Sequence, residues 1–147
     1  MKKRVIWVLI VVLLLALSLG FAGCQYIGKI TGGGFLYDKN NAKVTFGFNV
    51  QSEDGINAKG QFQLVDHSKK PPQIIHGTFE GKLFGLAGGK CTIKNLEGKD
   101  GTYDFTLRAE DKGEPGNSDK IWVEIYIPGP NLKYSGTIDG GNIQVHE

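Results

Sequence analysis

From Lys43 onward, apolar and polar residues alternate along the chain. Val44, Phe46, Phe48 and Val50 are interleaved with Lys43, Thr45, Gly47 and Asn49. A period of two sends one set to each face of an extended strand, so one face of this stretch is expected to be buried. The alternation returns at Tyr103, Phe105, Leu107 and Ala109, at Ile121, Val123, Ile125 and Ile127, and at Leu132, Tyr134, Gly136 and Ile138, closing with Ile143 and Val145. Shorter candidate strands are 61–65, 73–79, 82–86 and 90–96. Turn-forming residues stand between the runs: Asp38-Lys39-Asn40-Asn41, Asp54-Gly55, Lys70-Pro71-Pro72, Gly88-Gly89, Lys99-Asp100-Gly101, Pro115-Gly116, Pro128-Gly129-Pro130 and Asp139-Gly140-Gly141. Nothing after residue 30 sustains a helical period. The expected fold is all-β, a single antiparallel β-sandwich or a small closed β-barrel of about eight to ten short strands.

Glycine sharpens that expectation. The chain has 22 glycines, several inside expected strands, as at Gly32-Gly33-Gly34, Gly47, Gly60, Gly77, Gly85 and Gly136. Strand glycine marks bulges, sharp coiling or close backbone approach. A tightly curved sheet is expected, with a ligand-hugging backbone as the alternative.

The start of the chain departs from the strand pattern. Met1-Lys2-Lys3-Arg4 precedes an apolar run from Val5 to Leu19, followed by Gly20-Phe21-Ala22-Gly23-Cys24. This is the order of a secretory signal. Phe21-Ala22-Gly23-Cys24 resembles the bacterial lipobox, with Phe21 where Leu is usual. The resemblance implies that the Cys24 thiol takes a diacylglyceryl group and that cleavage follows Gly23. Two acyl chains anchor stably, each buried methylene adding roughly 0.8 kcal/mol. The alternative is an uncleaved transmembrane helix, because Val5 to Ala22 approaches the ~20 apolar residues of a span. The expected organisation is a signal peptide over 1–23 (the only helix expected), a short tether over 24–30 carrying lipid on Cys24, and an all-β domain over 31–147.

Cleavage changes the charge as well. It leaves 124 of the 147 residues, enough for one domain. Taking Lys2, Lys3 and Arg4 from 17 basic residues leaves 14 against 15 acidic ones, so the formal net charge falls from +2 to −1. Arg108 is then the last arginine, which argues against nucleic acid as a partner. Cys24 is committed to lipid, so Cys91, inside an alternating run, is expected to be a small buried hydrophobe without a disulfide partner. The short tether holds the domain close to a membrane. Gln25 stands where many enteric lipoproteins carry the aspartate of inner-membrane retention. The expected location is therefore the extracytoplasmic face of the cell membrane or, in a two-membrane host, the outer membrane.

Four motifs carry a family resemblance: Gly32-Gly33-Gly34-Phe35, Val44-Thr45-Phe46-Gly47-Phe48-Asn49, Asp111-Lys112-Gly113-Glu114-Pro115-Gly116 and Gly140-Gly141-Asn142-Ile143-Gln144-Val145-His146. Together they resemble the secreted bacterial post-COAP domain over about residues 32 to 146. The resemblance implies an extracytoplasmic all-β module with no catalytic activity to carry over. Such modules are often appended to larger surface proteins, whereas this one follows directly behind the lipobox.

Candidate chemistry lies in three places. The segment from Asp111 to Asp119 offers Asp111, Glu114, Asn117 and Asp119, the hard oxygen ligands that calcium takes. Its spacing is not that of an EF-hand. The plainer reading is a polar loop with Pro115-Gly116 at the centre of a type II turn. On the run from Ile121 to Ile127 the alternate face carries Trp122, Glu124 and Tyr126. Such rings suit stacking on a sugar or anchoring a protein, and are core instead if both sheet faces are covered. His67, His76 and His146 are the third set, without the local spacing of a zinc site. Ser52, Ser68, Ser118 and Ser135 lack a nucleophile elbow, and linear order selects no carboxylate pair for glycoside hydrolysis.

These readings converge on a lipid-anchored, non-enzymatic β module for binding at the cell envelope. Its partners are expected to be the membrane, through Cys24, and an envelope glycan, lipid or protein. A small barrel carrying an apolar ligand is the alternative, which a core filled by Phe46, Phe48, Phe105 and Tyr134 would disfavour. A hydrolase comes third.

Overall fold

The computed structural model describes residues 28–82 and 87–146. The signal peptide, Cys24 and most of the strand expected over 82–86 lie outside these residues. Nine strands follow one another: β1 (Gly28–Tyr37), β2 (Lys43–Ser52), β3 (Asn57–Asp66), β4 (Gln73–Lys82), β5 (Ala87–Lys94), β6 (Gly101–Glu110), β7 (Lys120–Tyr126), β8 (Leu132–Thr137) and β9 (Gly140–His146). Because β1 begins at Gly28, the last residues of the expected tether belong to the sheet.

All nine strands join one antiparallel sheet in the order β8-β7-β6-β5-β4-β3-β2-β1-β9. A single ladder replaces the two sheets of a sandwich, so the curled, barrel-like form is the one built. β8 and β9 sit at opposite ends of that order, yet only Ile138 and Asp139 separate them. The sheet must therefore curl until its two edges meet at this bend. β8 and β9 behave as one bent strand, whose first half pairs with β7 and whose second half pairs with β1. Asp139 fixes the bend: its N–H donates to Phe35 O at 2.8 Å, and its Oδ2 accepts from Tyr37 N–H at 3.0 Å.

Alternation along each strand becomes inside and outside of the curl. β2 buries Val44, Phe46, Phe48 and Val50, and β7 buries Ile121, Val123 and Ile125. The ring of Phe105 packs 5.3 Å from that of Phe62 and 5.2 Å from that of Phe79. Inward-facing Gly77 makes the space, since a β-carbon there would stand 2.7 Å from Phe105 Cε1. Tyr134 reaches from β8 to β3 and β4: its hydroxyl donates to Asp66 Oδ2 at 3.3 Å and accepts from Gln73 Nε2 at 3.4 Å. Burial and then the Asp66 charge push the pKa of this hydroxyl up. Phe46, Phe48, Phe105 and Tyr134, the four residues named for a filled core, are all buried.

Local expectations change at several points. Gly88 and Gly89 are not a turn but part of β5. β4 and β5 approach so closely there that a β-carbon on Gly89 would collide with Thr78 O, so the glycine serves sheet packing. β5 ends at Lys94, because Asn95 takes φ 65°, a left-handed conformation that stops the strand. Gly140 and Gly141 open β9 instead of forming a turn. Val145 lies near the end of an edge strand and is 40% exposed, outside the core proper.

Candidate functional site

The outer face of β2 to β6 carries an open trough of about 710 Å³. Its lining comes from two rows of register partners that run across the strands. One row is Gly47, Gln63, His76, Thr92 and Thr102; the other is Asn49, Gln61, Thr78 and Lys90. Antiparallel pairing brings such residues side by side at about 4.8 Å intervals. Gly47 opens the trough, since a β-carbon there would have nothing within 4 Å. Phe48, Phe62, Gly77 and Cys91 lie beneath.

Most of these side chains have no intramolecular work. Among the described residues, those of Gln61, Gln63, His76, Thr78 and Thr102 make no hydrogen bond to the protein. Asn49 Oδ1 accepts from Gln61 N–H at 2.9 Å, and Thr92 Oγ1 donates to His76 O at 3.5 Å. Lys90 Nζ lies 2.7 Å from Asp104 Oδ1. The hydrogen bond to Asp104 holds the Lys90 pKa above its ordinary value. Both partners are well exposed, so this pair adds little stability. The second row continues through Asp104 to Tyr126 on β7, a residue 44% exposed.

Trp122 and Tyr126 therefore lie on the outer face, not in the core. They do not form one platform. Tyr126 extends the trough row, with its hydroxyl 3.3 Å from Thr106 Oγ1. Trp122 is farther along β7, opposite Arg108, whose guanidinium carbon lies 5.0 Å from the ring centroid. Glu124, between them, is held by Asn131 Nδ2 at 2.8 Å and Lys133 Nζ at 3.2 Å, contacts that lower its pKa.

The Asp111 to Asp119 loop lies at the seam where the sheet edges meet. Buried Asp119 accepts from Ile143 N–H through Oδ2 and from Lys112 N–H through Oδ1, both at 2.8 Å. Asp111 Oδ2 accepts from Val145 N–H at 3.2 Å and its Oδ1 from Gly113 N–H at 2.8 Å. Ile143 and Val145 are alternate residues of β9, so the two carboxylates stand in for a neighbouring strand along that edge. Glu114 Oε1 takes Asn142 Nδ2 at 2.8 Å and Gln144 Nε2 at 3.1 Å. The turn closes from Gly116 N–H to Gly113 O, so Glu114 and Pro115 are its central pair, not Pro115 and Gly116. Among the described residues, the Asn117 side chain makes no hydrogen bond to this set. No group of three or more His, Cys, Asp or Glu among the described residues is placed to share a metal ion.

The histidines are also apart. His67 Nε2 meets Thr45 Oγ1 at 3.1 Å and His146 Nε2 meets Thr31 Oγ1 at 3.0 Å, while His76 stands in the trough. Cys91 is 1% exposed, and burial, followed by the Asp104 charge, pushes its pKa up to about 11. That keeps it a thiol at neutral pH.

The strand pattern identifies each trough residue as an outward polar alternate, but only register brings the two rows together. Knowing which strands were neighbours would have exposed them. Compared with known proteins, the chain matches no family model, no curated protein and no solved structure. The post-COAP resemblance thus rests on its four motifs alone.

Proposed function

We propose that this protein is a lipid-anchored module of the bacterial cell envelope, which binds a ligand in the outer-face trough and performs no chemistry on it. The trough carries the reading. Amide, hydroxyl and imidazole groups gather there from β3, β4 and β6 without internal partners among the described residues, while the inner face is filled by buried side chains. Free donors and acceptors on a rigid sheet suit recognition, because little ordering entropy remains to be lost on binding. The lipobox supports the location. Only Gln25, Tyr26 and Ile27 separate Cys24 from β1, so a lipid on that thiol keeps the domain within about 14 Å of its anchor.

Two substitutions separate the anchor from the binding surface. Cys24→Ala is expected to abolish incorporation of labelled palmitate and release the protein from washed membranes. Gly47→Trp fills the trough; it should leave palmitate labelling intact while abolishing co-sedimentation of detergent-solubilised protein with isolated envelope polymers. Palmitate on the Cys24→Ala protein would overturn the anchor. Unchanged co-sedimentation of Gly47→Trp would overturn the trough as the binding surface.

A further inference from the structure

Accepting the trough as the binding surface, we infer that its ligand is a neutral, extended glycan lying across the strands, with one sugar over each strand from β2 to β6 and a sixth on the ring of Tyr126. The argument begins with spacing. Residues of a register row recur at the strand interval, about 4.8 Å, close to the length of one pyranose ring along an extended β-linked chain. Two parallel rows therefore present polar groups to successive sugars, one on each side of the chain axis, with Gly47 leaving space at the β2 end. A compact ligand would use one part of this surface, whereas a chain of repeated units uses all of it.

Chemistry narrows the class further. Gln61, Gln63 and Thr78 each offer both a donor and an acceptor, matching the dual character of sugar hydroxyls. Among the described residues, the only lysine lining the trough is already paired with Asp104, and Glu80 lines it as well. A polyanionic chain would meet those two carboxylates with no unpaired lysine or arginine among the described residues of the lining. At the β7 end the second row finishes on Tyr126, an exposed ring beside Asp104 in register. A ring face there can stack on the apolar face of a pyranose while its neighbours bond the hydroxyls. Trp122, engaged by Arg108 away from this row, is not part of the site.

The test uses the full-length lipoprotein in detergent micelles, titrated calorimetrically with β-1,4-linked N-acetylglucosamine oligomers of two to eight sugars. Affinity is expected to climb to the hexamer and then level off. Tyr126→Ala should erase the gain from the fifth to the sixth sugar, about tenfold or less, and Tyr126→Phe should restore it. Gly47→Trp should abolish binding of every length, and polygalacturonate should not bind. Absence of binding, affinity independent of length, or a hexamer gain that survives Tyr126→Ala would overturn the glycan. Envelope co-sedimentation distinguishes the levels. If Gly47→Trp abolishes it while the oligomers fail to bind wild type, the glycan is wrong and the trough stands. If Gly47→Trp changes neither measurement, both fall.

Discussion

The seam at β9 and the trough over β2 to β6 both gather polar side chains and use them in opposite ways. At the seam, the carboxylates of Asp111, Glu114 and Asp119 face N–H donors, and the loop that carries them stands in for an absent strand. The exception is Asn142 Oδ1, a buried side-chain oxygen with no partner. In the trough, Gln61, Gln63 and Thr78 sit on fully paired strands, where the ladder already satisfies the backbone. Polar side chains beside an unpaired edge are drawn into structure; polar side chains above a paired sheet remain available to a ligand. Polarity alone does not separate scaffold from site. The state of the backbone beside it does.

The comparison can be broken most forcefully at Asp119. Asp119→Ala leaves the N–H groups of Ile143 and Lys112 without acceptors, and should cost about 3–5 kcal/mol of stability in urea unfolding. Asp119→Asn retains one acceptor and should lose roughly half as much. A loss below 1 kcal/mol in Asp119→Ala would show that the seam closes without it. Asp111→Ala removes two more exposed bonds, one of them longer at 3.2 Å, so a loss of about 1–2 kcal/mol is expected by the same measurement. In the trough, Gln63→Ala and Thr78→Ala should shift stability by no more than about 0.5 kcal/mol, since they remove exposed groups without internal partners.

The smallest expected effect concerns the trough floor. Cys91 lies directly beneath it, and a solid floor predicts no measurable reaction with a thiol-alkylating reagent in the native state at pH 8. Reaction at the rate of a free thiol would mean that the trough opens into the core. The pH dependence has a definite sign. Because folding raises this thiol from 9.0 to about 11, the native state holds a proton that the unfolded chain loses first. Its contribution is complete below pH 9 and is lost as the pH rises towards 11. Cys91→Ala should show a shallower decline over that window in urea midpoints.

Strands were legible where burial was one-sided and side chains were large. β2, β6 and β7 announce themselves through Phe46, Phe105 and Ile125 and their alternates. β1 is harder to read because Gly32-Gly33-Gly34 interrupts the alternation, although pairing on both sides makes it a central strand. Gly88-Gly89 carries the composition of a turn, yet it allows β5 to approach β4. Single-sheet architecture could not be chosen over a sandwich, because both use the same alternation and differ only in which strands pair. The seam was hidden for a related reason. Asp119 and Ile143 are 24 positions apart, so the loop between β6 and β7 shows its carboxylates but not their acceptor duty towards β9.

The bent β8–β9 strand sets the order in which the molecule can be completed. β1 is the first of the nine described strands to be synthesised and its second neighbour, β9, the last, so one edge of β1 stays open until the seven strands between them exist. An edge exposed for that long invites pairing with another copy. The run Gly32-Gly33-Gly34 lies on this edge, and three residues without side chains offer a stray strand little to grip. The glycines that obscure β1 in the sequence thus also suit it to waiting: they keep the nascent chain a poor template until β9 arrives.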